Sequence, residues 1–456
     1  MIIERIDLIA LREPNTSVNR DWWSTTPLDL LGDYGNTAPL DAQAPSSCGP
    51  GMFRAGKNSA LAEDLHRTGA ERPGEVTNVV VVVHTDDGLT GLGNVGVGSP
   101  ASIPVIEHHL APLLFGQSPF DTERLWQSMY RDTLNIGRKG LVLEAISALD
   151  IALWDILGKA THQPVYNLLG GKVRDSIRAY ASQLYAREDL AMLAEEAKSY
   201  TDAGFTAVKM RFGYGPRDGR AGMRKNYELV RTVREAVGDD VDIATEAYMG
   251  WDTNYAVSMI RKLEEFGLAW VEEPVLPDDL DSYRRIRSEV GVPISGGEHE
   301  FTLQGFRLLL EQEAVDILQP DVNRMGGITE ARKVWALAQA YGVPVIPHSN
   351  QSHNAHLIIS SLASPLIEYF PYELRTGYNL YYEYCDGTPL PTGGRIEVAA
   401  DPGLGVTLNR DAMERYGIEA IVLTARGREQ YRGDALRAVL PDCAAVADRG
   451  RTRVAS

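Results

Sequence analysis

Seven ionisable residues recur along the middle of the chain at a near-constant step. Lys209, Glu246, Glu272, Glu298, Asp321, His348 and Glu368 are separated by 37, 26, 26, 23, 27 and 20 residues, by subtraction of their numbers. Glu246, Glu272 and Glu298 form an evenly spaced carboxylate trio. Brought together, such like charges repel unless a cation sits among them. An all-oxygen ligand set favours Mg²⁺ over zinc or copper and leaves positions for water and substrate oxygens. One such Glu alone more often caps a helix or pairs with Lys or Arg; the repetition is what carries the metal reading. Asp321 and His348 come next. A carboxylate holding one imidazole nitrogen raises the basicity of the other, which makes His348 a candidate general base or acid. Lys209 and Arg211 are two apart, so on a strand both face one side and bring cations to an acidic pocket. Arg211 is no base, because guanidinium stays charged. These parts together describe a metal that binds a carboxylate and stabilises its enediolate while a neighbouring base takes the α-proton.

The elements that position these residues are legible around them. Each lies at or near the end of a short β-branched run: IRAYAS, AVKMRF, DIATEA, LAWVEEP, VPISGGEHE, VDILQPD, VPVIPHS and PLIEYF. These eight runs, of which the first carries none of the seven, alternate with helical segments, and the step approximates one βα unit of about 30 residues or somewhat less. The pattern predicts an α/β fold, a (β/α)8 TIM barrel with its chemistry at the carboxyl ends of the strands. Residues 2–11 and 77–84 read as strands outside the barrel, and Asp86-Asp87-Gly88 turns the second into Leu89–Val95 as a hairpin. Residues 142–157 place apolar side chains at helical spacing before Gly158.

Between the first two strands, residues 14–74 are rich in Pro, Gly, Ser and Asn and show no sustained period, which predicts a lid. Within it Trp22, Trp23 and Arg54 are candidate substrate contacts, since aromatic faces and a cation suit a polyol acid; the plain alternative is that both Trp pack the cap. The expected division is an N-terminal α+β capping domain over 1–140, the catalytic barrel over 141–376, a segment returning to the cap over 377–424, and an extension over 425–456 read as a helix plus tail.

The 456-residue chain is 44% hydrophobic and carries a net charge of −17. It is long enough for two domains. Its acidity argues against nucleic acid or anionic membrane as partner, both of which would repel it. No stretch approaches eighteen uncharged apolar residues, and the N-terminus lacks a leader pattern, so a cytoplasmic protein is expected. Cys48, Cys385 and Cys443 are far apart and read as reduced thiols.

These residues resemble the enolase superfamily, mandelate racemase subgroup, over residues 1–424. ALDIALWDILGK with PVYNLLGG is similar to its barrel entry, Trp270-Val271-Glu272-Glu273-Pro274 to its fourth strand, and Gly297-Glu298 to its fifth. GDDVDIATEAYMGWD, LQPDVNRMGGITE and IPHS are similar to the third, sixth and seventh. The resemblance implies Mg²⁺ on Glu246, Glu272 and Glu298, with Glu273 beside them, and a cap that selects the substrate. Two departures stand out: the family usually has Asp where Glu246 stands, and its two-base members carry Lys where Arg211 stands. The second disfavours a two-base racemase. AVKMRFGYGPRDGRAGMRKN, EAYMGWDTNYA and GGEHEFT most resemble the L-rhamnonate dehydratase-like acid-sugar dehydratases. That resemblance implies a hydro-lyase in which His348 works with Asp321, His299 contacts the substrate and Glu368 bonds a carboxylate or enediolate oxygen. The product would be a 2-keto-3-deoxy acid, and relatives of this kind commonly form symmetric homo-oligomers. The rival readings are an epimerase or cycloisomerase on the same scaffold, which would not lose water, and a non-catalytic protein that kept the fold.

Overall fold

The computed structural model describes residues 1–12, 22–25, 27, 78–96, 100–371, 380–437 and 439–440. Arg54 and almost all of the expected lid lie outside the described residues.

The first element is an antiparallel sheet centred on Ile3–Leu11. Asn78–Thr85 pairs with it on one side and Gly417–Thr424 on the other, so chain from beyond the barrel completes the cap. Val79 to Val83 is an unbroken apolar run in an antiparallel strand because both faces are covered. Val80 and Val82 join the larger core of the molecule, while Val79, Val81 and Val83 join the cap's own core. Helix Leu141–Ala160 lies between the two domains and is buried over nearly its whole surface, contributing Ile146 and Leu149 to the cap core and Ile151 and Trp154 to the larger one. The hairpin strand Thr90–Asn94 packs directly on this helix: a Cβ on Gly91 or Gly93 would meet the carbonyl oxygens of Ala152 and Ala148 at 2.0 Å. Glycine is the only residue that allows this approach.

The barrel follows as read. Strands Ile177–Leu184, Ala207–Arg211, Asp242–Glu246, Trp270–Glu272, Ile294–Gly296 and Ile317–Leu318 pair in parallel in chain order, and Leu366–Tyr369 pairs with the first of them. The seventh run, expected as a full strand, is reduced to one bridge between Leu318 and Val345. Pro344 and Pro347 flank that bridge and have no N–H to extend a ladder. It still closes the ring, because Ile346 and His348 donate to Leu318 and Pro320 at 2.9 and 3.0 Å while Val345 donates to Ala363 at 2.9 Å. A second correction concerns the C-terminal extension. Gly427–Arg432 is an edge strand paired with Gly417–Thr424, and only then comes a one-turn helix, Asp434–Arg437. Gly427 and the alternating Arg, Glu and Gln of this segment suit a solvated edge better than a helix.

Tyr180, Ala207, Ala244, Trp270, Ile317, Ile346 and Leu366 fill the barrel interior as one small cluster. Side chains alternate along a strand, so the residues two further on, Lys209, Glu246, Glu272, Gln319, His348 and Glu368, also point inward, one layer nearer the mouth. The site is thus the next tier of the core.

Helix Ser352–Ile359, after the seventh run, carries a buried imidazole with a fixed tautomer. Nδ1 of His356 accepts from the Tyr166 N–H at 3.1 Å and Nε2 donates to the Leu404 carbonyl at 3.2 Å. Burial lowers its pKa from the usual 6.5 to about 4 despite the Leu404 bond. Between those values the unfolded chain binds a proton that the folded chain refuses, so stability falls as pH drops through the window, by at most about 1.4 kcal/mol per unit. Denaturant midpoints of wild type and His356→Gln should therefore converge as pH falls from 7 to 4.5. Parallel curves would mean that His356 protonates freely in the folded chain.

Candidate active site

Three carboxylates meet at the barrel mouth, with one oxygen each from Glu246, Glu272 and Glu298 mutually within 4.8 Å. Glu246 and Glu272 end their strands. Glu298 follows Gly297, whose φ of +121° turns the chain back into the mouth and whose absent Cβ would come within 2.9 Å of Phe306. Lys209 is fully buried beside the first two and Glu368, its Nζ 2.8 Å from Glu272, 2.8 Å from Glu368 and 3.3 Å from Glu246. Burial alone would lower the pKa of this ammonium, but the charges of Glu246, Glu272 and Glu368 outweigh it and hold Lys209 well above an ordinary lysine. Burial in turn pushes Glu272 up to about 8 against the pull of Lys209, with Glu246 and Glu368 adding to the rise. The neighbouring carboxylates act in the same direction on both groups, because the cluster holds more negative charge than its resident cation neutralises.

The residues therefore fit a divalent cation. Oε1 of Glu246 is buried with no hydrogen-bond partner, an orphaned anionic oxygen inside an all-oxygen set. A second cluster, Glu273, Glu298 and His299, also brings its ligand atoms together. It suits Mg²⁺ less, because one donor is an imidazole nitrogen and Glu273 is already bonded to that ring at 2.8 Å. Asp242, the other acid on the third strand, sits at the opposite end, half exposed and paired with Arg178 at 2.8 Å.

The Asp321–His348 pair forms as expected, with Asp321 Oδ2 2.8 Å from His348 Nδ1. Asp321 also accepts from the Asn323 N–H at 2.8 Å and so caps the short helix Val322–Met325. The other nitrogen, Nε2, faces the mouth, 3.5 Å from Glu298 and 4.0 Å from Glu368. Burial works to lower the His348 pKa, but Glu298, the Asp321 bond and Glu368 raise it to about 9. His299 lies at the rim, bonded to Glu273 and edge-on to Tyr248 with ring centroids 5.6 Å apart. Arg211 reaches Glu246 at 3.3 Å and stacks over the Tyr185 ring at 4.4 Å. Glu368 accepts from the Ser349 N–H at 2.7 Å.

Two residues of this site escaped the sequence reading. Gln319 donates to Glu272 at 2.8 Å, beside the Trp270 indole N–H at 3.2 Å, and fixes that carboxylate. The inward parity of Ile317 and Asp321 on either side was the signal that could have found it. Arg324 reaches Glu298 at 3.1 Å and Asp321 at 3.3 Å from a helix, where strand parity gives no guide. Of the lid candidates, Trp22–Trp23 pairs through its backbone with Ala186–Arg187, just past the first barrel strand. Thr25 then bonds Phe212 and Ala247, at the ends of the second and third, which brings this piece of the cap to the barrel mouth.

Residues 65–170 match the mandelate racemase / muconate lactonizing enzyme N-terminal domain, and residues 192–412 match the enolase C-terminal domain-like family. The L-rhamnonate dehydratase of Saccharopolyspora erythraea is 40% identical over 335 residues, 73% of this chain and 83% of that protein. The chain belongs to the enolase superfamily. As an enzyme of that superfamily it is also similar to the solved rhamnonate dehydratase of Gibberella zeae complexed with Mg, at 30% identity and a TM-score of 0.73 over 91% of this chain and 96% of that one. Another similar structure is the 3,6-anhydro-D-galactonate cycloisomerase of Zobellia galactanivorans, 35% identical with a TM-score of 0.69, covering 75% of this chain and 94% of that one. Among the described residues no helix of this superfamily member is long and apolar enough to cross a membrane.

Proposed function

We propose that this enzyme is a Mg²⁺-dependent acid-sugar dehydratase that converts an aldonate or aldarate to a 2-keto-3-deoxy acid. The observation that carries the reading is the His348 imidazole, tethered to Asp321 and aimed across the mouth at the carboxylate cluster, with charge-locked cations on the second strand. Glu246, Glu272 and Glu298 would hold the ion, which supplies positive charge to the substrate carboxylate as electron density moves onto it.

Neutral His348, the form that gains as pH rises toward about 9, takes the proton next to that carboxylate through Nε2, while Asp321 keeps the proton on Nδ1 and steadies the imidazolium that forms. The same imidazolium then gives its proton to the departing β-hydroxyl, so water leaves from the face that lost the proton. The resulting enol tautomerises to the keto acid. Lys209 and Arg211 stay cationic, bind anionic oxygens and take no proton; the three carboxylates around Lys209 make it a poor base. Glu368, held between Lys209 and the Ser349 N–H, completes the floor on which the carboxylate rests. His299 and the Trp22–Thr25 segment flank the polyol.

The relatives named as rhamnonate dehydratases support the class of substrate, and the cycloisomerase neighbour favours a second reading, in which the same proton abstraction ends in rearrangement. Incubation with a panel of aldonic and aldaric acids separates them. Dehydration yields a semicarbazide-reactive 2-keto acid from at least one member; isomers without such a product from every member would overturn the dehydratase reading.

A further inference from the structure

The seventh barrel run ends in a turn that its own sequence does not favour. Ser349, directly after His348, has a φ of +74°, in the left-handed region that side chains with a Cβ rarely adopt. Such a conformation persists only where its surroundings over-determine it. Here those surroundings are named. His348 donates its N–H to Pro320 at 3.0 Å, and Ser349 donates its N–H to Glu368 at 2.7 Å. The two remaining backbone polar groups of the turn, the carbonyls of His348 and Ser349, both accept from one side-chain amide: Asn354 Nδ2, at 2.9 and 3.1 Å. Asn354 is buried in the first turn of helix Ser352–Ile359, which is itself packed in the core, so the clamp is anchored to a rigid element.

We infer that Asn354 is a positioning residue for His348, holding the left-handed turn at Ser349 so that the imidazole stays on Asp321 with Nε2 aimed into the mouth. Its amide bonds the carbonyls of His348 and Ser349, so it acts through the backbone of the base. A small rotation about that turn moves the ring away from the reacting proton, and misplacement by about 1 Å costs on the order of a hundredfold in rate. The inference rests on His348 being the base.

The test measures kcat and KM for the acid sugar that the panel identifies. Asn354→Ala should lower kcat ten- to a hundredfold and leave KM and the Mg²⁺ activation constant within about twofold. Ser349→Gly in that background should recover most of the lost kcat, because glycine adopts the turn without the clamp. A merely structural role for Asn354 would not be rescued by a glycine five residues away. Ser349→Val approaches from the backbone side and leaves the buried Asn in place; its branched side chain rejects the left-handed conformation and should lower kcat by a similar factor. The idea is overturned by wild-type kcat in a folded Asn354→Ala or in Ser349→Val, or by a loss that glycine does not restore. His348→Asn run in parallel separates the two claims. If that variant keeps turnover, His348 is not the base; if it is inactive while Asn354→Ala is intact, only the positioning claim fails.

Discussion

Replacing His348 with Asn should lower kcat by about ten-thousandfold while KM moves little. Asn keeps much of the volume and a donor toward Asp321, so the turn and the mouth keep their shape, but nothing at Nε2 can take the proton. General acid–base catalysis contributes about a hundred- to ten-thousandfold, and one imidazole fills both the base and the acid role here, which places the loss at the upper end. The variant should also stop exchange of the substrate α-hydrogen with deuterated solvent. Persistent exchange would mean that another group removes that proton. Lys209 is the nearest suspect by position, but an ammonium 2.8 Å from both Glu272 and Glu368 does not give up its proton readily.

Glu272→Gln carries the second large effect, and it separates fold from function. The wild-type carboxylate is surrounded by donors: Lys209 and Gln319 at 2.8 Å and the Trp270 indole at 3.2 Å. Without a divalent cation, the burial and like charges that lift Glu272 to about 8 work against its ionised form. Removing that charge leaves Lys209 paired with Glu246 and Glu368, while the amide NH2 of Gln must face one of the surrounding donors, so the metal-free variant should be folded and less stable than wild type. Turnover should fall on the order of a thousandfold, comparable to losing a preorganised electrostatic group at a reacting centre. Mg²⁺ titration by calorimetry should show weakened binding, and wild type stripped with EDTA should lose its turnover and regain it on Mg²⁺ addition. Full turnover of Glu272→Gln without added metal would show that the trio is not the metal site.

The barrel and much of its mouth were legible because one physical rule governs both. A parallel strand buried on both sides reads as a β-branched run, and the residue that leaves the run at its carboxyl end must be polar if it faces the mouth. Lys209, Glu246, Glu272, His348 and Glu368 obey that rule and were found by it. Glu298 obeys it only through Gly297, whose left-handed turn substitutes for strand geometry. What the rule cannot reach is side-chain traffic between elements. Arg324, on a short helix, bridges Glu298 and Asp321, and Asn354 bonds back across a turn; neither spacing repeats in the sequence. The shortened seventh strand is a failure of a different kind. Val343, Val345 and Ile346 carry β propensity, but the two interleaved prolines remove the N–H groups that a ladder needs. Edge strand Gly427–Arg432 was missed because a solvated strand buries too little to show an apolar period.

The most direct test of the account is the fate of hydrogen when the enzyme turns over its acid sugar in D₂O with Mg²⁺, followed by proton NMR. A single imidazole that deprotonates the α-carbon and expels the β-hydroxyl predicts a 2-keto-3-deoxy acid carrying one deuterium at the carbon that lost the hydroxyl. Recovered acid sugar that has lost no water and carries deuterium at an inverted α-carbon would contradict it.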